Sequence, residues 1–374
     1  MKKSLIALAV LAASGAAMAQ SSVTLYGIAD AGVTYLNGAS NWSGVTSGNN
    51  LTSRLGFRGT EDLGGGLKAN FNLEGGFNLD TGDGGNSYAG AKAGDGFQFK
   101  RRATVGLAGG FGEVRLGREL TAAYNATARY DVFGSVGIAH SQLWDDGKSL
   151  AFSTAPATLG EPVDPYHYTT NQRVSNAITY VSPNFSGFKV AANYGFGEVA
   201  GKNSDGRYFG GGLTYDNGPL SLGLGAERLN SGAGAAMQSQ STNDITAWSL
   251  GGSYDLGVAK LLAGYRQSTA KDVLGLGDLK NRGYMLAVTA PVGPGLVRAA
   301  YNRYEAKFDG EKGVTDQFGL GYVYNLSKRT SVYGTYAYIK NKDDNALNLT
   351  VNSSGGVKSN GSQQAVQVGI THAF

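Results

Sequence analysis

The chain is written in a period of two. From Leu67 to Leu79 the odd positions Leu67, Ala69, Phe71, Leu73, Gly75, Phe77 and Leu79 are uncharged and mostly apolar. The even positions between them are Lys68, Asn70, Asn72, Glu74, Gly76, Asn78 and Asp80. Side chains alternate between two faces only in an extended strand, so this stretch predicts a strand with one apolar and one polar face. The pattern recurs across Val23–Leu36, Leu51–Thr60, Phe99–Leu107, Val114–Arg118, Val174–Val181, Phe188–Phe196, Arg207–Tyr215 and Leu220–Leu229. It continues in Ile245–Tyr254, Val258–Ser268, Tyr284–Ala290, Leu296–Lys307, Gln317–Tyr324, Ser331–Lys340 and Gln364–Phe374. These are about sixteen strands, an even number.

The gaps alternate in length. Short turns such as Asp216-Asn217-Gly218-Pro219 and Asn325-Leu326-Ser327-Lys328 take turns with longer polar loops at Asn37–Asn50, Asp80–Gly96, Ser231–Asn243 and Asn341–Gln363. Short turns on one side and long loops on the other is the layout of an antiparallel barrel in a membrane. A soluble sandwich also alternates, but reversing Leu67–Leu79 against lipid would bury Lys68 and Glu74. A basic residue at the bilayer midplane costs roughly 2–4 kcal/mol, so the register is firmly set. Aromatic strand ends (Tyr194, Phe196, Tyr215, Tyr254, Tyr322, Tyr324, Tyr338) favour the membrane reading. A barrel of about sixteen strands is too wide for side chains to fill and encloses an aqueous channel.

One connection breaks the rhythm. After Glu113–Arg118 no convincing strand starts until Gln172. A connection of this length is functional or disordered, and residues 119–170 are expected to fold into the lumen and narrow it.

Composition sharpens this picture. Residues 1–19 have the form of a secretory leader: Lys2 and Lys3, an apolar Leu5–Leu11, and Ala17-Met18-Ala19 as a cleavage site. The mature unit is then 20–374, one domain. Lys and Arg total 32 against 28 Asp and Glu, which argues against nucleic acid as a partner. There is no Cys, so no disulfide frame and no thiolate metal site. His140, His167 and His372 lack metal-ligand spacing and a nucleophile motif. No catalytic residues, metal or cofactor are expected.

Several motifs are similar to those of Gram-negative general porins of the β-proteobacterial type. They are Ser22–Gly27, Ser53–Lys68, Leu116-Gly117-Arg118, Asp131-Val132-Phe133-Gly134, Tyr180–Gly187, Tyr324–Arg329 and the closing Val366–Phe374. The resemblance implies an outer-membrane homotrimer of sixteen-stranded barrels, each with its third extracellular loop folded inward. It implies passive diffusion of small hydrophilic solutes and ions, with weak preference for anions. Its other partners would be the lipid bilayer, lipopolysaccharide and the barrel-assembly machinery, which reads a signal ending at Phe374. By matching positions, the basic cluster of the constriction would be Arg54, Arg58, Arg118 and Arg173, and Asp131 the acid of the loop, with Asp145 and Asp146 weaker candidates. Val114 and Leu116 share parity with Arg118, which a regular strand would send outward; the resemblance turns it inward. Asp131 has an alternative use as the cap of the loop's own turn. The alternative functions are a substrate-specific channel and an adhesin presenting its loops.

Overall fold

The computed structural model describes residues 22–84, 96–144, 170, 172–232, 244–275, 277–308, 310–343, 347–349 and 360–374. The leader, Asp145 and Asp146 lie outside these residues. Seventeen strand segments form one antiparallel sheet closed on itself. They are β1 Ser22–Asn37, β2 Trp42–Ser47, β3 Arg54–Gly64, β4 Leu67–Gly76, β5 Arg102–Gly109 and β6 Gly112–Leu120. There follow β7 Arg173–Val181, β8 Phe188–Gly195, β9 Tyr208–Asn217, β10 Leu220–Leu229, β11 Ile245–Asp255 and β12 Lys260–Ala270. The chain ends with β13 Leu279–Val292, β14 Gly295–Phe308, β15 Glu311–Asn325, β16 Thr330–Lys342 and β17 Ser362–Ala373.

The barrel has sixteen staves because β2 and β3 share one. β1 pairs with β3 over Ser22–Ile28 and with β2 over Ala31–Leu36, on the same edge. Its other edge closes on β17, from Ile28 opposite Ala373 to Asn37 opposite Gln364. Gly27 and Phe374 exchange backbone hydrogen bonds of 3.1 Å in both directions, so the last residue seals the seam. The break between β2 and β3 wraps a buried carboxylate. Asp30 accepts the amides of Asn49, Asn50 and Leu51 and the hydroxyls of Tyr333 and Thr371, tying β1, β16 and β17 together.

Burial is inverted relative to a water-soluble protein. Val33, Val105, Leu116, Leu286 and Val368 are each more than half exposed on the outer wall. Thr34, Asn302, Thr315 and Asn341 are fully buried on the inner one. Such a wall of exposed apolar side chains is soluble only in hydrocarbon. Two aromatic levels border it. Phe188 and Tyr215 stack at 4.3 Å near the short turns, and Trp248 and Tyr265 at 5.0 Å nearer the long loops.

Three sequence expectations change. β4 ends at Gly76, so Phe77–Leu79 lie beyond the strand, and the next strand starts at Arg102, not Phe99. The supposed loop Asn37–Asn50 contains β2, whose Trp42 and Val45 were masked by Gly44 and Ser47. The long connection opens with a helix, described next.

Candidate functional site: the pore constriction

The chain leaves β6 after Leu120 and turns into the lumen. Thr121 caps a short helix, α1 Ala122–Thr127, by accepting the amide of Tyr124 at 3.1 Å. Four small residues, Ala122, Ala123, Ala126 and Thr127, form its buried face. They lie flat on the inner wall because the wall there has no side chains. Gly212 stands opposite Gly225 across β9 and β10. Gly223, Gly251 and Gly264 stand opposite one another on β10, β11 and β12. A Cβ on Gly225 would come within 2.7 Å of the Ala123 carbonyl, and one on Gly223 would strike that of Ala126. The Tyr130 ring fills the space over Gly251, and Trp144 that over Gly264. The seat continues on β13 and β15, where Leu143 lies on Gly283 and Ala139 on Gly319.

Hydrogen bonds fix the segment along this groove. The Thr127 and Ser249 hydroxyls meet at 3.0 Å, and the Tyr130 and Ser221 hydroxyls at 3.0 Å. Gln317 donates to the His140 carbonyl at 3.1 Å, and the Gln142 amide donates to Tyr304 at 2.8 Å. Arg298 lies over the Phe133 ring at 4.8 Å. The described part of the loop, 121–144, therefore rests on the β8–β17 side and not on the wall of β3–β6.

That wall is basic. Register puts Arg54 and Arg58 on the lumen face with Tyr26, Asn72 and Glu74, and continues through Arg102 on β5 to Arg115 on β6. Glu74 is held by Arg101 at 2.7 Å and Arg54 at 3.9 Å, and accepts the Tyr26 hydroxyl at 3.0 Å. Glu119 is held by Arg115 at 3.0 Å and Arg102 at 3.7 Å. Arg58 stacks on Tyr26 at 5.2 Å, is exposed, and makes no ion pair among the described residues. Glu74, Glu113 and Glu119 thus each engage a guanidinium, and Arg58 is left with its charge unmatched by any ion pair among the described residues.

Among the described residues, the loop offers no exposed acid in return. Its outer surface along 121–139 is Tyr124, Asn125, Arg129, Val132, Gly134 and Gly137, while Asp131 is buried. The Asp131 carboxylate accepts the amides of Phe133 at 2.9 Å, Ser135 at 3.0 Å and Ser141 at 2.9 Å. It caps the loop's own turn. Burial pushes this carboxyl above its ordinary value, against the pull of His140 and the three amides. A carboxyl raised in the folded state favours folding more when protonated, so acid does not loosen the turn through this group.

A family model of Gram-negative porins matches residues 5–344. This chain belongs to the Gram-negative porin family. It is 47% identical to outer membrane porin protein 32 of Delftia acidovorans, over the full length of both chains. It is 33% identical to an outer membrane porin protein of Bordetella pertussis, covering 91% of this chain and 95% of that one. Among solved structures, the anion-selective porin from Comamonas acidovorans superposes with a TM-score of 0.79 at 41% identity, covering 95% of this chain and all of the other. The protein is accordingly an outer-membrane porin, a water-filled channel for passive diffusion, with the seated loop in its lumen.

Of the four arginines expected from sequence, the porin wall brings Arg54 and Arg58 together on β3. The other two do a different job. Arg118 stands opposite Ala103, on the parity of the exposed Val105 and Leu107, beside a register shift between Gly117 and Glu119. Its guanidinium donates to the Lys100 carbonyl at 2.6 Å and Ser175 at 2.7 Å. Arg173 donates to the Arg101 carbonyl at 3.0 Å. The pair clamps the backbone that presents Arg101. At the register shift Ser175 and Asn176 on β7 face the single Arg118 on β6, beside Gly117 at φ +126°, and Glu119 keeps the lumen parity of Arg115. Sequence reasoning passed over Arg101, Arg102, Arg115 and Arg298. Parity was the available signal: Val114 and Leu116 face lipid, so Arg115 faces water, and Val297 and Ala299 do the same for Arg298.

Replacing Gly223 and Gly251 together by Val should unseat the loop, since overpacking costs about 1–3 kcal/mol per site. The barrel itself should still form, because both side chains point into the lumen and Val favours strands. Single-channel conductance is expected to rise; a folded double variant with unchanged conductance would show that the groove does not hold the loop.

Proposed function

We propose that this porin passes small hydrophilic solutes and prefers small anions, weakly. One observation carries the proposal: exposed arginine faces a loop whose described lumen surface has no carboxylate. Guanidinium stays charged at any working pH. Two unit charges about 4 Å apart interact by roughly 1 kcal/mol in bulk water. Salt screens the field beyond a Debye length of about 8 Å at physiological strength. A several-fold bias follows, strongest in dilute salt, and absolute exclusion of cations does not. The Comamonas acidovorans relative is an anion-selective porin, which supports the same sign here.

Reversal potentials across a planar bilayer under a KCl gradient measure the bias. The wild type should favour chloride, and Arg54→Glu with Arg58→Glu should favour potassium. Cation preference in the wild type, or no shift in the double variant, overturns the proposal.

The wide apolar wall also motivates a second proposal, that the chain assembles as a homotrimer after removal of residues 1–19. Unboiled SDS gels of native membranes should show a band near three chains that boiling converts to one. The intact mass of the boiled chain should fit a start at Gln20. A monomer-sized band in both lanes counts against the trimer.

A further inference from the structure

The pore loop has two roots, and a single carboxylate reaches both. β6 and β7 are paired as far as Leu120 opposite Arg173, and the Thr121 amide adds one more bond, of 2.8 Å, to the Gln172 carbonyl. Beyond that the two chains part. Thr121 starts the helix α1, and Thr170 stands at the other root; both are fully buried.

Glu227 lies on the lumen face of β10, opposite Gly210 on β9 and Ala247 on β11. Its Oε1 accepts the Thr170 hydroxyl at 2.6 Å. Its Oε2 accepts the Tyr208 hydroxyl at 2.9 Å, and Tyr208 is hydrogen-bonded in turn to the Thr121 side chain. Thr121 serves both of its neighbours, since its oxygen accepts the Tyr124 amide and its proton is left for Tyr208. Tyr208 reaches the carboxylate because Gly210 leaves its path open: a Cβ there would strike the Tyr208 hydroxyl. Arg266 on β12 completes the cluster. Its Nη2 donates to Glu227 at 2.9 Å and to Thr170 at 2.7 Å, passing over β11 where Ala247 and Ser249 are small.

The barrel has no need of this cluster, because the backbone ladders of β9–β12 are complete without it. Yet the Glu227 and Arg266 side chains are only 5% and 13% exposed. A buried ion pair adds little net stability, since desolvation offsets the attraction. What this pair supplies is direction: one oxygen for the exit of the loop, and one, through Tyr208, for its entry. We propose that Glu227 is the positioning residue of the pore loop, fixing its entry through Tyr208 and Thr121 and its exit through Thr170. The glycine groove holds the segment from α1 to Trp144, and this carboxylate sets how both ends leave the wall. The sign of the ion preference plays no part, because an untethered loop disturbs currents of either sign.

Single-channel recordings in symmetric KCl read the tether directly. Wild-type channels should conduct at one steady level. Glu227→Gln keeps the size of the side chain but gives up the charge and one acceptor atom, so its open current should flicker among substates. Thr170→Val removes only the exit contact and Tyr208→Phe only the entry contact, so each should flicker less than Glu227→Gln. Thr170→Ser keeps the hydroxyl and should be as quiet as the wild type. A hydrogen bond to a charged group is worth about tenfold in an equilibrium, so substate occupancy in Thr170→Val should rise by about that factor. A role confined to holding the barrel together would instead lower its thermal unfolding temperature and leave folded channels quiet. Folded Glu227→Gln channels with a wild-type current overturn the proposal. If Glu227→Gln does not fold, Thr170→Val decides, because Thr170 lies outside the strands; a quiet Thr170→Val channel overturns the proposal equally.

Discussion

A backbone amide without a partner in hydrocarbon costs several kcal/mol, and no water is there to repair it. Every other feature of this porin follows from meeting that constraint with strands. A sheet satisfies its own edges only by closing, so β1 must find β17, and the Gly27–Phe374 exchange completes the ladder. Closure then divides the chain by parity into a lipid face and a water face. The lipid face is apolar from Val33 to Val368 without a core to pack against. The water face is free to carry charge, since nothing on it touches lipid.

Sixteen staves leave a lumen that side chains do not fill. The protein narrows it with its own chain, and the narrowing depends on what the wall lacks. Gly223, Gly251 and Gly264 remove side chains from three adjacent strands at one level, and Tyr130 and Trp144 occupy the space. Glycine weakens a strand in isolation; here the loop's small-residue face recovers the contact. The pore that remains lies between this seated loop and the arginines of β3–β6. Asp131 serves the loop's shape, through three amides, rather than the field of the pore.

Strands, turns, parity and the odd long connection were legible in the sequence because a lipid-facing strand tolerates few exceptions. Leu67 to Leu73 could be read in one register only. What could not be read was register between strands. Gly223, Gly251 and Gly264 are unremarked glycines until pairing sets them side by side. Arg118 and Arg173 looked like lumen charges by motif; strand parity already sends Arg118 the other way, and both guanidinium groups donate to backbone carbonyls, those of Lys100 and Arg101. The β2–β3 break was missed because its cause, the buried Asp30, gathers partners from both ends of the chain.

The central claim is that 121–144 lies in the lumen with Asn125 toward water and Ala126 against the wall. The chain has no cysteine, so single replacements report cleanly. Asn125→Cys and Ala126→Cys would be reconstituted in planar bilayers and treated with a charged methanethiosulfonate while single-channel current is recorded. The current through Asn125→Cys should fall on modification, and that through Ala126→Cys should stay constant. A current through Asn125→Cys that does not respond to a reagent shown by mass to have reacted would contradict the placement of the loop inside the pore.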